Sequence, residues 1–241
     1  MNPHSIFRFK QFSVSHHRST MKVGTDAVIL GAWTPVDNCR RILDVGTGCG
    51  IIALMLAQRS DAEITAIDID EESIEEAMDN FRNNHWNTQL NAVHTSLRHY
   101  CESVQTKFDL VISNPPFFQN SLLPNSHKSK LARHTVSLTF DELARDSCRL
   151  LGDHGRLVII LPIAEKDNYL FSGLRYGMYL SGKLEVFPGT GKPAKRMILE
   201  FTLDKPALVK SHALTVRNAD GFYSDEYKKM TKAFHPDIYF K

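Results

Sequence analysis

The tetrapeptide Asn114-Pro115-Pro116-Phe117 holds the residue types that point most directly to chemistry. It closes an apolar run, Asp109-Leu-Val-Ile-Ser113, that reads as a strand, and two prolines end such a strand and fix the loop behind it. Asn114 offers a side-chain carbonyl and Pro115 a backbone carbonyl, two acceptors for the two N–H bonds of a planar amino group. The lone pair of that kind of nitrogen is delocalised into its π-system. It attacks an electrophile only when it is held so that it can pyramidalise, and the same two carbonyls favour the positive charge it then develops. No general base is needed before attack. Phe117 is placed to stack on the ring that carries the amine. A stack of this kind is worth about 1 to 3 kcal/mol, comparable with the few kcal/mol needed to flip a base out of a helix.

A second pattern supplies a place for the electrophile. Asp44-Val-Gly46-Thr-Gly48-Cys-Gly50-Ile51 ends another apolar run and leads straight into a helical segment. Glycines at alternate positions let the backbone turn sharply and let a ligand lie where any Cβ would clash. A dinucleotide-binding turn would carry a third glycine three residues after Gly48, where this chain has Ile51, and the charge of Asp44 would repel a pyrophosphate. The same charge pairs with the ammonium of a methionine moiety, which favours S-adenosylmethionine over a nicotinamide dinucleotide. Asp68, twenty residues after Gly48, ends the next strand, where a carboxylate can accept from both ribose hydroxyls. Ile69 is expected against the adenine ring and Ser96 at its edge.

Strands that end together are needed to bring these residues to one place. Strands are expected at Arg41 to Val45, Ile64 to Asp68, Leu90 to Thr95, Phe108 to Ser113 and Arg156 to Leu161, all apolar and rich in β-branched residues. Helices are expected at Ile51 to Arg59, Glu71 to Asn84 and Phe140 to Leu151, the last opened by Thr139 with Glu142 at capping-box spacing. Such alternation predicts an α/β fold with a parallel sheet covered on both faces. Two later strands, Lys183 to Phe187 and Arg196 to Leu203, are joined by a short Pro- and Gly-containing loop and predict a hairpin at one edge, making seven strands. No repeat or linker divides residues 1–241, so one domain is expected, with residues 1–40 as a flank lacking clear periodicity.

With 241 residues and 42% hydrophobic content the chain can bury a full core. Cys39, Cys49, Cys101 and Cys148 form no C-x-x-C pair, which predicts a reduced compartment and no structural metal. Neither a signal peptide nor a membrane span is recognisable, so the protein is expected to be cytoplasmic and without membrane association. A monomer is expected. A net charge of +2 is too small to announce a polyanionic partner, but its distribution is uneven. Nine acids and no Lys or Arg fall between Asp61 and Asp79, whereas positive charge gathers at Lys10, Arg18 and Lys22, at Lys128, Lys130 and Arg133, at Lys192, Lys195 and Arg196, and at Lys228, Lys229 and Lys232. That is compatible with RNA on one side and equally with a solvated surface. Lys128, Lys130 and Arg133 follow the Asn-Pro-Pro-Phe motif, where an RNA backbone would pass beside a flipped base.

These motifs resemble those of the class I amino-methyltransferases, and the chain ends narrow the resemblance. Phe9-Lys-Gln-Phe12, His16-His17, Met21-Lys-Val-Gly-Thr-Asp26 through Trp33, and Tyr223-Ser-Asp-Glu-Tyr227 through Phe240 resemble the bacterial tRNA1(Val) adenine-N6-methyltransferase family over nearly the whole chain. The resemblance implies a Rossmann-like fold, S-adenosylmethionine as methyl donor, and tRNA as substrate, methylated on the adenosine 3′ of the anticodon. It also implies that Lys22 to Asp26 cover the cofactor, with Gly24 and Thr25 near its methionine end. The motif reads a planar N–H group and not its owner, so guanine N2 in ribosomal RNA, a protein glutamine, or a non-catalytic RNA-binding module stay open as alternatives.

Overall fold

The computed structural model describes residues 6–19, 22–115 and 138–240. A short antiparallel hairpin, β1 (Ile6–Arg8) and β2 (Ser13–Ser15), precedes the main sheet. That sheet contains β3 (Arg41–Val45), β4 (Glu63–Asp68), β5 (Leu90–His94), β6 (Phe108–Ser113), β7 (Leu151–Pro162), β8 (Tyr179–Phe187), β9 (Arg196–Thr202) and β10 (Lys210–Thr215). Their order is β10-β8-β9-β7-β6-β3-β4-β5, with β9 antiparallel to both neighbours and every other pair parallel.

Alternation along the strands explains why both faces are covered. In β7, Val158 and Ile160 belong to one apolar cluster and Leu157, Ile159 and Leu161 to the other, all completely buried. Helices α1 (Thr25–Trp33), α2 (Ile51–Ala57) and α3 (Glu71–Arg82) pack on the first face, and α4 (Leu97–Ser103), α5 (Phe140–Leu150) and α6 (Lys166–Arg175) on the second. A last helix, α7 (Asp225–Thr231), returns to the first face and packs beside α1. The expected capping box of α5 is formed, with Thr139 and Glu142 each bonding the other's backbone amide.

The α/β fold with its mostly parallel sheet is as the sequence predicts, with one strand more than the seven expected. The β8–β9 hairpin is not the outermost element, because β10 adds in parallel to β8 beyond it. Only Leu214 of β10 is buried, so this edge strand leaves no apolar alternation to read.

Register decides what the sheet brings together. Val45 lies opposite both Ile67 and Ser113, and Asp68 opposite His94. The chain therefore leaves β3, β4, β5 and β6 at one common carboxyl edge, the place where open α/β sheets bind ligands. Among the described residues no helix is long and apolar enough to cross a membrane, and no group of His, Cys, Asp or Glu is arranged to hold a metal ion.

Candidate active site

Asp44 is the last but one residue of β3, and its carboxylate is completely buried. Thr47 Oγ1 donates to Oδ2 at 2.6 Å, while Oδ1 has no hydrogen-bond partner. Burial pushes this carboxyl up to about 7; the Thr47 hydroxyl opposes that, and the neighbouring Asp68 adds to it. A buried acceptor left bare is costly, more so when charged, so Oδ1 is suited to receive a cationic donor. Gly46 and Gly48 adopt φ of 70° and 53°, and a Cβ on either would meet no protein atom within 4 Å. They form an open floor beside Asp44. Gly50 serves packing instead, since a Cβ there would lie 2.5 Å from Cε1 of Phe81 in α3.

Asp68, at the end of β4, is held by two amides: Gly48 N donates to Oδ2 at 2.9 Å and Asp70 N to Oδ1 at 3.0 Å. Burial raises its pKa. Both bonds aim the carboxylate across the glycine loop and leave lone pairs for further donors. Ile69 is 46% exposed and offers an apolar surface that suits a flat ligand. His94 Nε2 contacts the Ile69 carbonyl at 3.0 Å and braces that turn. Ser96 is half-buried and caps α4, its Oγ accepting from His99 N at 3.2 Å. Its hydroxyl proton stays available to a ligand.

Asn114 and Pro115 follow β6 directly, Asn114 half-buried and Pro115 buried. Ser113 Oγ donates to the Val45 carbonyl at 2.8 Å, pinning the end of β6 to the end of β3. The Val45–Ser113 pairing is the last of the β3–β6 ladder, so Asn114 and the glycine loop leave neighbouring strands at the same edge. Phe117, Lys128, Lys130 and Arg133 lie outside the described residues.

The described N-terminal residues bear on this site from two sides. Gly24 caps α1 and Thr25 is its first residue, both exposed. Before them, the amides of His17 and Arg18 donate to Glu76 Oε1 at 2.8 and 3.1 Å, and Ser19 N donates to Oε2 at 2.8 Å. Glu76 is completely buried in α3. Burial alone would raise its pKa, but these amide donors outweigh it and hold the carboxyl below its ordinary value. Asn80, one turn on, bonds both the N and the O of Ser15 and donates to the Cys49 carbonyl at 2.8 Å. In α1, Asp26 pairs with Arg196 of β9 at 2.7 Å. Glu76 and Asn80 thus tie the N-terminal strap to the glycine loop. Sequence reasoning missed them by treating Asp61 to Asp79 as one acidic flank. The available signal was their place on the apolar stripe of α3 with Ser73, Ile74, Ala77 and Phe81, since a polar side chain there needs a buried partner.

Known proteins share this architecture. Residues 19–164 match the model of the methyltransferase small domain family. The chain is 40% identical over 235 residues to the tRNA1(Val) (adenine(37)-N6)-methyltransferase of Phocaeicola vulgatus, covering 97% of this chain and 98% of that one. The chain belongs to that methyltransferase family. Relatives of the same name from Parabacteroides distasonis and Photorhabdus laumondii are 40% and 35% identical, over 97% and 95% of this chain and 98% and 94% of theirs. Among solved structures, a predicted O-methyltransferase from Agrobacterium tumefaciens has a TM-score of 0.66 at 18% identity, covering 87% of this chain and 96% of that one, a likeness of fold. A methyltransferase from Pyrococcus furiosus has a TM-score of 0.57 at 20% identity, covering 80% and 89%. The family's methyl donor is S-adenosylmethionine, and the bare oxygen of Asp44 and the open floor at Gly46 and Gly48 suit its ammonium and its backbone-hugging pose.

Proposed function

We propose that this chain methylates N6 of the adenosine 3′ of the anticodon in tRNA(Val), working as a single-domain monomer in the cytoplasm. The nucleotide is supported by relatives of that name at 35 to 40% identity over nearly the full length. The observation that carries the chemistry is the β3–β6 register, which sets Asn114 beside the glycine loop and Asp44.

S-adenosylmethionine, when bound, supplies an electrophilic methyl group. Asp44 accepts from its ammonium, Gly46 and Gly48 leave room for its main chain, Asp68 accepts from its ribose hydroxyls, and Ile69 and Ser96 face its adenine. Residues 1–40 form the flank that covers it, with Gly24 and Thr25 nearest the methionine end. The Asn114 side-chain carbonyl and the Pro115 backbone carbonyl each accept one N–H of the target amine. They orient the nitrogen lone pair and stabilise the charge that builds up on nitrogen in the transition state. The nitrogen sheds its extra proton after transfer, when it is strongly acidic, so no side-chain base is required.

The test is incubation of the purified protein with methyl-labelled S-adenosylmethionine and unmodified tRNA, then nucleoside analysis. Labelled N6-methyladenosine is expected; label in N2-methylguanosine, or an unlabelled tRNA beside label in ribosomal RNA or a protein glutamine supplied in parallel incubations, contradicts this reading.

A further inference from the structure

The carboxyl edge continues past Asn114 through β7, β9, β8 and β10, and two braced turns stand on it there. The first joins β8 to β9. Lys192 N donates to the Gly189 carbonyl at 3.1 Å, with Gly191 at φ 73°. Lys195 N donates to the Val186 carbonyl at 3.0 Å, and the Lys195 carbonyl accepts from Ile163 N at 3.2 Å. The second turn follows β10. Asn218 N donates to the Phe222 carbonyl at 2.8 Å, Phe222 N donates to Asn218 Oδ1 at 2.9 Å, and Arg217 Nη1 donates to the Gly221 carbonyl at 2.6 Å. The Arg217 guanidinium lies over the Tyr223 ring, 4.4 Å from its centroid. The turns brace each other, Thr190 N donating to the Arg217 carbonyl at 3.0 Å.

The cations they present have no acidic partner among the described residues. Among the described residues no carboxylate lies within ion-pairing distance of Lys192, Lys195 or Arg217, whereas Arg196 is committed to Asp26. Phe222 is 59% exposed on a turn whose hydrogen bonds leave it little freedom to fold inward. Asp220, on the same turn, is its acid. By strand order, Lys195 stands two strands from β6 and Arg217 four, about 10 and 19 Å at ~4.8 Å per strand. That is within reach of nucleotides flanking a base held at Asn114.

We infer that this rim, Lys192, Lys195, Arg217 and Phe222, is a docking surface for single-stranded RNA beside the target nucleotide. The two lysines meet phosphates, Arg217 is preset on Tyr223 for a phosphate or a base, and Phe222 stacks on a base. The inference rests on the RNA substrate proposed above.

The experiment measures tRNA binding and methylation as a function of salt, for the unaltered protein, a Lys192→Glu, Lys195→Glu double variant, and a Phe222→Ser variant. A control double variant, Arg40→Glu with Lys205→Glu, makes the same charge change at the opposite edge of the sheet. The rim lysine variant is expected to bind tRNA about tenfold more weakly, with a salt slope shallower by about two. The Phe222 variant is expected to lose about tenfold at unchanged slope. Affinity for S-adenosylmethionine stays the same in all, and the control tracks the unaltered protein. If the unaltered protein methylates tRNA but the rim variants behave like the control, the docking surface is wrong and the substrate stands. If the unaltered protein neither binds nor methylates tRNA, both are wrong.

Discussion

Asp44 and Thr47 share a 2.6 Å hydrogen bond that occupies one oxygen of a buried carboxylate and leaves the other without a hydrogen-bond partner. With the carboxyl raised to about 7, the ligand-free protein holds a substantial protonated fraction at neutral pH. A cation binds the ionised form. Affinity for S-adenosylmethionine is therefore predicted to be level above about pH 7 and to fall about tenfold per unit below it, as measured by calorimetry across pH. The protein itself behaves in the opposite sense: ionising this buried group costs stability as pH rises from near 4 to near 7. Asp44→Asn is accordingly expected to raise the melting temperature of the ligand-free protein while weakening S-adenosylmethionine by about a hundredfold or more. A pH-independent affinity would contradict the assignment.

Removing the Asn114 side-chain carbonyl takes away an acceptor that matters most when charge builds up on nitrogen. Asn114→Ala is predicted to lower kcat about a hundredfold to a thousandfold with a small change in the KM for S-adenosylmethionine. Single-turnover kinetics separates the two, and an unchanged kcat would remove Asn114 from the mechanism.

Glu76 touches no ligand, yet it anchors three amides of the strap. Glu76→Gln keeps the shape but points an NH2 group at an N–H donor, a loss of about 1 to 3 kcal/mol. The predicted result is a KM for S-adenosylmethionine raised about tenfold with kcat within about threefold, because the strap closes less often over an intact reaction site. A lowered melting temperature with an unchanged KM would make Glu76 purely structural.

Both chain ends meet around His235, which is completely buried and stacked on Tyr239 with ring centroids 3.9 Å apart and on Phe9 at 5.6 Å. Burial lowers its pKa to about 4. Its contribution to stability is fully present above the ordinary histidine value of about 6.5 and is lost as pH falls from there toward 4, because the unfolded chain takes up the proton first. Urea melts between pH 7 and 4 are predicted to show this loss, and His235→Phe to flatten it.

The sheet, its glycine loop and the Asn114 turn were legible because each depends on residues close in sequence: apolar runs for strands, Asp44 and Asp68 at strand ends, prolines stopping β6. The strap was not. Glu76 meets its partners across 57 to 59 residues, and its one local mark is its place on the buried stripe of α3. Three of the nine acids between Asp61 and Asp79 have such uses, Glu75 and Asp79 pairing with Arg18. Helix α6 is not legible because its buried residues are Tyr169, Ser172 and Gly173, while the apolar Phe171 and Leu174 face solvent. In β10 a single buried residue, Leu214, left no period to find.

The decisive observable is the nucleoside whose formation depends on this chain. Mass spectrometry of tRNA(Val), from cells with and without the protein, is predicted to show N6-methyladenosine on the 3′ side of the anticodon only when it is present, restored by the unaltered chain and not by Asn114→Ala. The same modified adenosine in cells lacking the protein would contradict it.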